Sequence, residues 1–341
     1  MSKHGVVIRT PGDSLARSLS RTAMALLAVS LVSCVDCTSR PESAIVVAVP
    51  ALEQNALIYI AADKGFFADN GLRVAIESVA TGPSALAALQ NGSVQIAETA
   101  EFPVVVAALR GMDFRILATN DQFENDYIIA RKASGISGIP DLKGRRMGFS
   151  FHSITEFYLG RFLALHGIRP GDISRVDVAP SDFATAIGGG RVDALVAWQP
   201  FVSRIAASLP GGAEVWPVQS DQLAYGILVC REKWLAANSK TAEAFLKSLK
   251  SAQDYLVGHP AESRALIGKR LGYDAGYLSS VWRDHHFDLT LDYSLVLAME
   301  DEARWMVANH LTDASAVPDF SRSISAAELT AVSPTSVNMM K

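Results

Sequence analysis

One run of elements occurs twice in this chain, at residues 45–97 and again at residues 146–195. Each run is a strand, a polar turn opening a helix, a glycine stop, a second strand, a second capped helix, and a third strand ending shortly before a proline. The first begins with Ile45-Val46-Val47-Ala48-Val49, turns at Gln54-Asn55 and stops at Gly71; the second begins with Arg146-Met147-Gly148-Phe149, turns at His152-Ser153-Ile154-Thr155 and stops at Gly167. Thr81-Gly82-Pro83-Ser84 and Pro180-Ser181-Asp182 open the second helices, which end at Asn91-Gly92 and Gly188-Gly189-Gly190. The third strands, Val94-Gln95-Ile96-Ala97 and Val192-Asp193-Ala194-Leu195, lead to Pro103 and Pro200. Ser, Thr, Asn and Asp at the starts satisfy free backbone NH groups, and Gly at the stops adopts the left-handed turn. Strands alternating with helices are βαβ units, so each run predicts a mainly parallel sheet flanked by helices. The duplication predicts an α/β chain of two similar lobes facing a shared cleft.

The ends of the chain bear on location. Lys3, Arg9, Arg17 and Arg21 stand against a single Asp13 ahead of an apolar run at residues 22–33, too short to span a bilayer, which predicts a secretory signal at 1–33. Leu31-Val32-Ser33-Cys34 resembles a bacterial lipobox, which implies lipidation of Cys34, a tether at 34–43 and a lipid anchor on the periplasmic side of the cell membrane. Ordinary signal cleavage and a buried apolar start are the alternatives. The formal net charge is −4 with the basic leader included, which excludes the electrostatic footprint of nucleic-acid binding. With Cys34 lipidated only Cys37 and Cys230 remain, which argues against a structural disulfide.

Two β-rich stretches, Asp126-Tyr127-Ile128-Ile129-Ala130-Arg131 and Tyr225-Gly226-Ile227-Leu228-Val229-Cys230, flank the second run and predict two crossover strands. Lobe 1 is then expected at 44–127 plus 228–341, lobe 2 at 128–227 as an insertion, with the crossover strands as a paired hinge. The alternative is two ordinary strands of one larger sheet. After Glu232 the pattern turns helical: Phe245, Leu246, Leu249, Ala252 and Leu256 fall at helical spacing, as do Leu291, Leu295, Ala298, Glu302 and Trp305. Residues 317–341, with Pro318 and Pro334, predict a loosely ordered wrap.

Four groups of residues carry a resemblance. They are Ala61-Ala62-Asp63-Lys64-Gly65-Phe66-Phe67 with Gly71-Leu72-Arg73-Val74; Ile139-Pro140-Asp141-Leu142-Lys143-Gly144; Gly190-Arg191-Val192-Asp193-Ala194 with Trp198-Gln199-Pro200; and Glu300-Asp301-Glu302-Ala303-Arg304-Trp305. In this order they resemble the solute-binding proteins of bacterial ABC importers of the nitrate, sulfonate, taurine and thiamine-pyrimidine type. One departure is Gly92-Ser93-Val94-Gln95, where the family pattern carries an Asp. The resemblance implies a type II periplasmic-binding-protein fold and no catalysis or cofactor. It implies a monomer that closes over a small-molecule solute and serves permease and ATPase subunits. The same fold hosts cofactor-biosynthesis enzymes, and a sensory binding protein is a third class; the lipobox and the lack of a cysteine-rich motif argue against the enzymes.

In open parallel sheets ligands sit outside the carboxyl ends of the strands, where helix N-termini point. That rule nominates Gln54 and Asn55, Thr81 and Ser84, His152, Ser153 and Thr155 from the turns, Thr99, Glu101, Trp198 and Gln199 from the third-strand ends, and Asp121. Ser84, Ser153 and Thr155 are either oxyanion donors or caps that satisfy their own backbone. Trp198 either lays its ring on an organic ligand or packs in the core, and His152 either bonds the ligand or orients its turn. Glu98, Glu101, Asp121, Glu124 and Asp126 either face water or meet a cationic, NH-donating part of the solute, since an uncompensated carboxylate weakens a bound oxyanion. The expected solute therefore has an acceptor-rich end toward lobe 2 and a donor or amine toward lobe 1. Asp284-His285-His286-Phe287-Asp288 lacks the ligand spacing of a metal site and predicts a surface or interlobe role.

Overall fold

The computed structural model describes residues 43–220 and 222–339; the leader, Cys34 and the tether through residue 42 lie outside the described residues. Eleven strands form two sheets. They are β1 (Ser43–Pro50), β2 (Leu72–Val79), β3 (Ile96–Ala100), β4 (Arg115–Phe123), β5 (Asp126–Arg131), β6 (Arg146–Phe149), β7 (Ser174–Asp177), β8 (Ala194–Trp198), β9 (Ala213–Pro217), β10 (Ala224–Cys230) and β11 (His285–His286). The first sheet has the order β11-β4-β10-β3-β1-β2 and the second β7-β6-β8-β5-β9.

The duplication reappears as strand order. β1 pairs in parallel with both β2 and β3, and β6 pairs in parallel with both β7 and β8. An antiparallel fourth strand follows in each sheet, β10 beside β3 and β5 beside β8. β5 lies wholly in the second sheet and β10 wholly in the first, so the chain passes between sheets at residues 124–125 and 218–223, a few residues before the expected changes at 127/128 and 227/228. One side chain ties these passages together: Gln219 Oε1 accepts from the NH groups of Asn125 (2.8 Å) and Asp126 (3.0 Å), while its Nε2 donates to the carbonyls of Phe123 and Gln222 (3.0 Å each).

The helices that close the first sheet follow the apolar spacing. Helix Glu232–Gly258 buries Phe245, Leu246, Leu249, Ala252 and Leu256. Phe67 stacks on Phe245 at 5.4 Å, and Phe66 meets Tyr255 edge-on, so the paired phenylalanines hold this layer together. The C-terminal segment departs from expectation. Instead of a loose wrap it forms helix Ala326–Val332, buries Phe320 and Leu329 completely, and pairs Val337–Asn338 with Leu291–Asp292. Two large apolar side chains without solvent exposure supply the burial that Pro318 and Pro334 obscure. Among the described residues no helix is long and apolar enough to cross a membrane.

Helix Ile154–Leu165 of the second lobe reaches the first through a ring cluster of Phe102, Phe157 and Trp305, with centroids 5.4–6.1 Å apart. Gly160 makes this approach possible: a Cβ there would stand 2.0 Å from Cζ2 of Trp305. In an ordinary helix interior Gly→Ala stabilises by about 0.5–1 kcal/mol. Gly160→Ala is instead expected to destabilise by about 1–3 kcal/mol, the cost of overpacking, read from urea unfolding. The penalty should shrink in a Trp305→Leu background; stabilisation by Gly160→Ala in the native background would refute the close approach.

Candidate functional site

A cavity of ≈ 50 Å³, partly open to solvent, lies between the two sheets. Its walls are built where strand ends and helix starts meet. Pro50 ends β1 and Leu52 and Gln54 follow it, Ala80-Thr81-Gly82-Pro83 leads from β2 into helix Gly82–Asn91, and Ala100 ends β3 ahead of Pro103. Phe123 and Asn125 stand at the passage between lobes, and Asp126, Ser153, Ile154 and Trp198 come from the second lobe. Of the twelve residues nominated from sequence, the structure brings Gln54, Thr81, Ser153 and Trp198 together on this wall.

The other nominees occupy positions around it. Asn55 is buried and donates from Nδ2 to the Pro50 carbonyl (3.0 Å). Ser84 shares a hydroxyl hydrogen bond with Thr81 (2.9 Å), whose oxygen also caps the Ser84 NH, so this pair serves the helix start. Thr99 is buried behind Gly82, where a Cβ would meet its Oγ1 at 2.2 Å, and that hydroxyl has no partner among the described residues. Gln199 accepts from the NH and hydroxyl of Ser203 (3.3 and 2.8 Å) and so caps helix Phe201–Ser208. His152, at φ 61°, receives the Arg110 guanidinium at 3.2 Å on Nε2 and donates its backbone NH to Glu156 (2.7 Å). It orients its turn and touches lobe 1.

Ser153 and Thr155 spend their protons inside the turn. Ser153 Oγ donates to the Ser150 carbonyl (2.6 Å), which leaves Thr155 as the donor in their shared 2.7 Å contact. Neither hydroxyl retains a hydrogen for an oxyanion in this arrangement. What the turn still offers is the positive end of a 12-residue helix. Trp198 packs in the core, where Phe183 and Phe201 meet it edge-on at 5.5 and 5.7 Å; it is also a residue of the cavity wall, and its buried indole NH has no partner among the described residues.

The acidic residues do not face water, contrary to one of the two outcomes expected for them. Glu98, Glu101 and Asp121 are fully buried, Asp126 is 1% exposed, and only Glu124 is partly open. Glu98 accepts from Gln54 Nε2 (3.0 Å), which fixes the orientation of that cavity amide. Burial pushes the Glu98 carboxyl up to about 7. Glu101 accepts the Tyr225 NH (3.0 Å) and lies against Glu302; burial lifts both carboxyls, Glu101 to about 8. Asp126 belongs to the second sheet rather than the first, burial alone raises it to about 7, and neither of its oxygens has a partner among the described residues.

Asp121 meets no cavity surface. Its Oδ2 lies 2.5 Å from Nδ1 of His285, whose Nε2 is 3.9 Å from Glu53, and Tyr277 donates to the same Glu53 oxygen (2.6 Å). Burial pulls the His285 imidazole down, but Asp121 and Glu53 outweigh it and hold the ring protonated. His285 is therefore a buried cation and not a surface residue. Among the described residues no three His, Cys, Asp or Glu side chains are grouped to hold a metal. Asn125 is a polar wall residue that the sequence reading did not name, and Asp126 is the one of the five acids that stands on the wall. Asp126 carried a visible signal, an acid opening a β-rich stretch.

The family model described as NMT1/THI5 like matches residues 53–263. The chain is 27% identical over 212 residues to a putative aliphatic sulfonates-binding protein of Escherichia coli (strain K12), covering 62% of this chain and 66% of that one. It is 27% identical over 202 residues to the taurine-binding periplasmic protein of the same organism, covering 58% and 62%. The matched stretches thus span just under two thirds of these relatives. The alkanesulfonate-binding protein from Xanthomonas axonopodis pv. citri, solved bound to MOPS, superposes with a TM-score of 0.73 at 19% identity, covering 84% of this chain and 99% of that one. The two-lobed periplasmic-binding-protein fold follows from that superposition and from the paired sheets, and the chain belongs to the NMT1/THI5-like family.

Proposed function

We propose that this protein is the solute-binding component of an ABC importer, capturing a small organic solute of sulfonate, taurine-like or nitrogen-heterocycle type between its lobes. The observation that carries this reading is the interlobe cavity, lined by Trp198, Asn125 and Asp126, whose indole NH and side-chain oxygens are buried without a partner among the described residues. Buried polar atoms without partners cost free energy unless a ligand completes them. The names of the two curated relatives point to the same solute class. In this reading the lobes close by bending at residues 124–125 and 218–223, and the closed face docks on the permease while separate subunits spend ATP. Lipid on Cys34 would keep the protein, acting as a monomer, at the periplasmic face of the membrane.

Thermal-shift titration with alkanesulfonates, aminoalkanesulfonates, nitrate, carboxylates and pyrimidines tests this. A solute at a hundred times its dissociation constant is expected to stabilise the protein by about 2.7 kcal/mol, and mass spectrometry should recover it unchanged. Chemical conversion of the solute, or no shift with any class, would overturn the proposal.

A further inference from the structure

We infer that the solute carries a cationic nitrogen and that Asp126 receives it, with the Trp198 ring beside it. The inference rests on the solute-binding reading above and names the chemistry of that same cavity. Asp126 and Trp198 are directly opposed in the antiparallel β5–β8 ladder, so their side chains rise from one face of the second sheet. Both line the cavity, and both are more than nine-tenths buried. The Asp126 carboxylate makes no hydrogen bond and no ion pair among the described residues, although its own NH is held by Gln219. The groups that share its surroundings are Glu101, Tyr127 and Tyr158, which bring no positive charge.

A desolvated carboxylate with two idle oxygens is a poor neighbour for a bare oxyanion and a strong one for an ammonium or amidinium group. With its carboxyl near the middle of its titration at neutral pH, an arriving cation completes the ionisation at small cost. Asn125, a residue of the same wall, has a side-chain carbonyl oxygen with no partner among the described residues, a second acceptor for the remaining N–H bonds. The Trp198 face supplies the apolar and π surface that a cation also favours. A protonated Asp126 donating to an oxyanion is the competing use of the same atoms, and it makes the opposite forecast for an amide replacement.

The test compares three probes by isothermal titration calorimetry on the intact mature protein: taurine, 2-hydroxyethanesulfonate and ethanolamine. They carry both charges, the anion alone and the cation alone. Wild type is expected to bind taurine at least 100-fold more tightly than 2-hydroxyethanesulfonate. Asp126→Asn is expected to lose at least 100-fold of the taurine affinity while leaving 2-hydroxyethanesulfonate within a few-fold, which also shows the variant to be folded. A preference for ethanolamine over both sulfonates that Asp126→Asn abolishes would equally support the cation site, though it would remove the sulfonate from the proposed function. Equal binding of taurine and 2-hydroxyethanesulfonate, or taurine binding unchanged in Asp126→Asn, overturns the inference and leaves solute capture standing. Failure of wild type to bind any of the three overturns it together with the sulfonate and taurine-like part of the proposed solute class.

Discussion

Purified protein is expected to be more stable at pH 5 than at pH 8, by several kcal/mol, the reverse of the usual loss of stability toward acid. Glu98, Glu101, Asp121 and Asp126 are all lifted by burial, to about 7, 8, 6 and 7. In the unfolded chain such groups titrate near ~4. Between those limits the folded state binds more protons than the unfolded state, so the unfolding free energy falls as pH rises, by about 1.4 kcal/mol per group and pH unit. His285 acts with the same sign, since its raised affinity for a proton stabilises the fold below the ordinary histidine range and is lost at high pH. Carboxylates held low, such as Asp141, Asp172 and Asp193, lose their contribution only on descending through their depressed range, below this window. Urea midpoints at pH 5, 6, 7 and 8 check the slope; a flat or rising series would show that these acids are solvated in the folded protein.

The second large effect is expected from His285→Leu. The imidazolium sits fully buried between Asp121 at 2.5 Å and Glu53 at 3.9 Å, with Phe287 stacked against its ring at 5.2 Å. Removing it strands two buried carboxylates, and breaking a buried pair from one side costs about 3–5 kcal/mol. Adding Asp121→Asn should return a sizeable part of the loss, because one of the orphaned charges is then gone. The penalty should also be smaller at pH 5, where the stranded Asp121 takes up a proton, than at pH 8. A His285→Leu variant as stable as wild type at pH 8 would mean that the imidazole carries no charge there.

Much of the fold was legible because its periodic parts are local. The two runs of strand, capped helix and strand announce themselves through Gly71, Gly92, Gly167 and Gly190, and all four take positive φ. The fourth strand of each sheet was legible only as a β-rich stretch, since its sheet membership depends on pairing with strands far along the chain. His285 shows the same limit. Five polar or aromatic residues in a row look exposed, and only the short β11–β4 pairing turns one of them inward onto Asp121. At the site, the rule of strand ends found Gln54, Thr81, Ser153 and Trp198. It could not separate hydroxyls whose protons are already committed, as at Ser153 and Thr155, from free donors. Asp126 could be read only as one of five acids with two possible fates, because its partner in the ladder, Trp198, lies 72 positions away.

Gln219 has a mechanical consequence. Two covalent links between bodies would ordinarily twist independently, each with its own soft dihedrals. Here a single buried amide clasps the backbone on either side of the first link and also anchors the turn of the second. In the proposed closure the pair would turn as one axle, with a torque on either link shared by both. Asp126, whose NH is one of the clasped groups, would then ride on that axle rather than swing with either lobe.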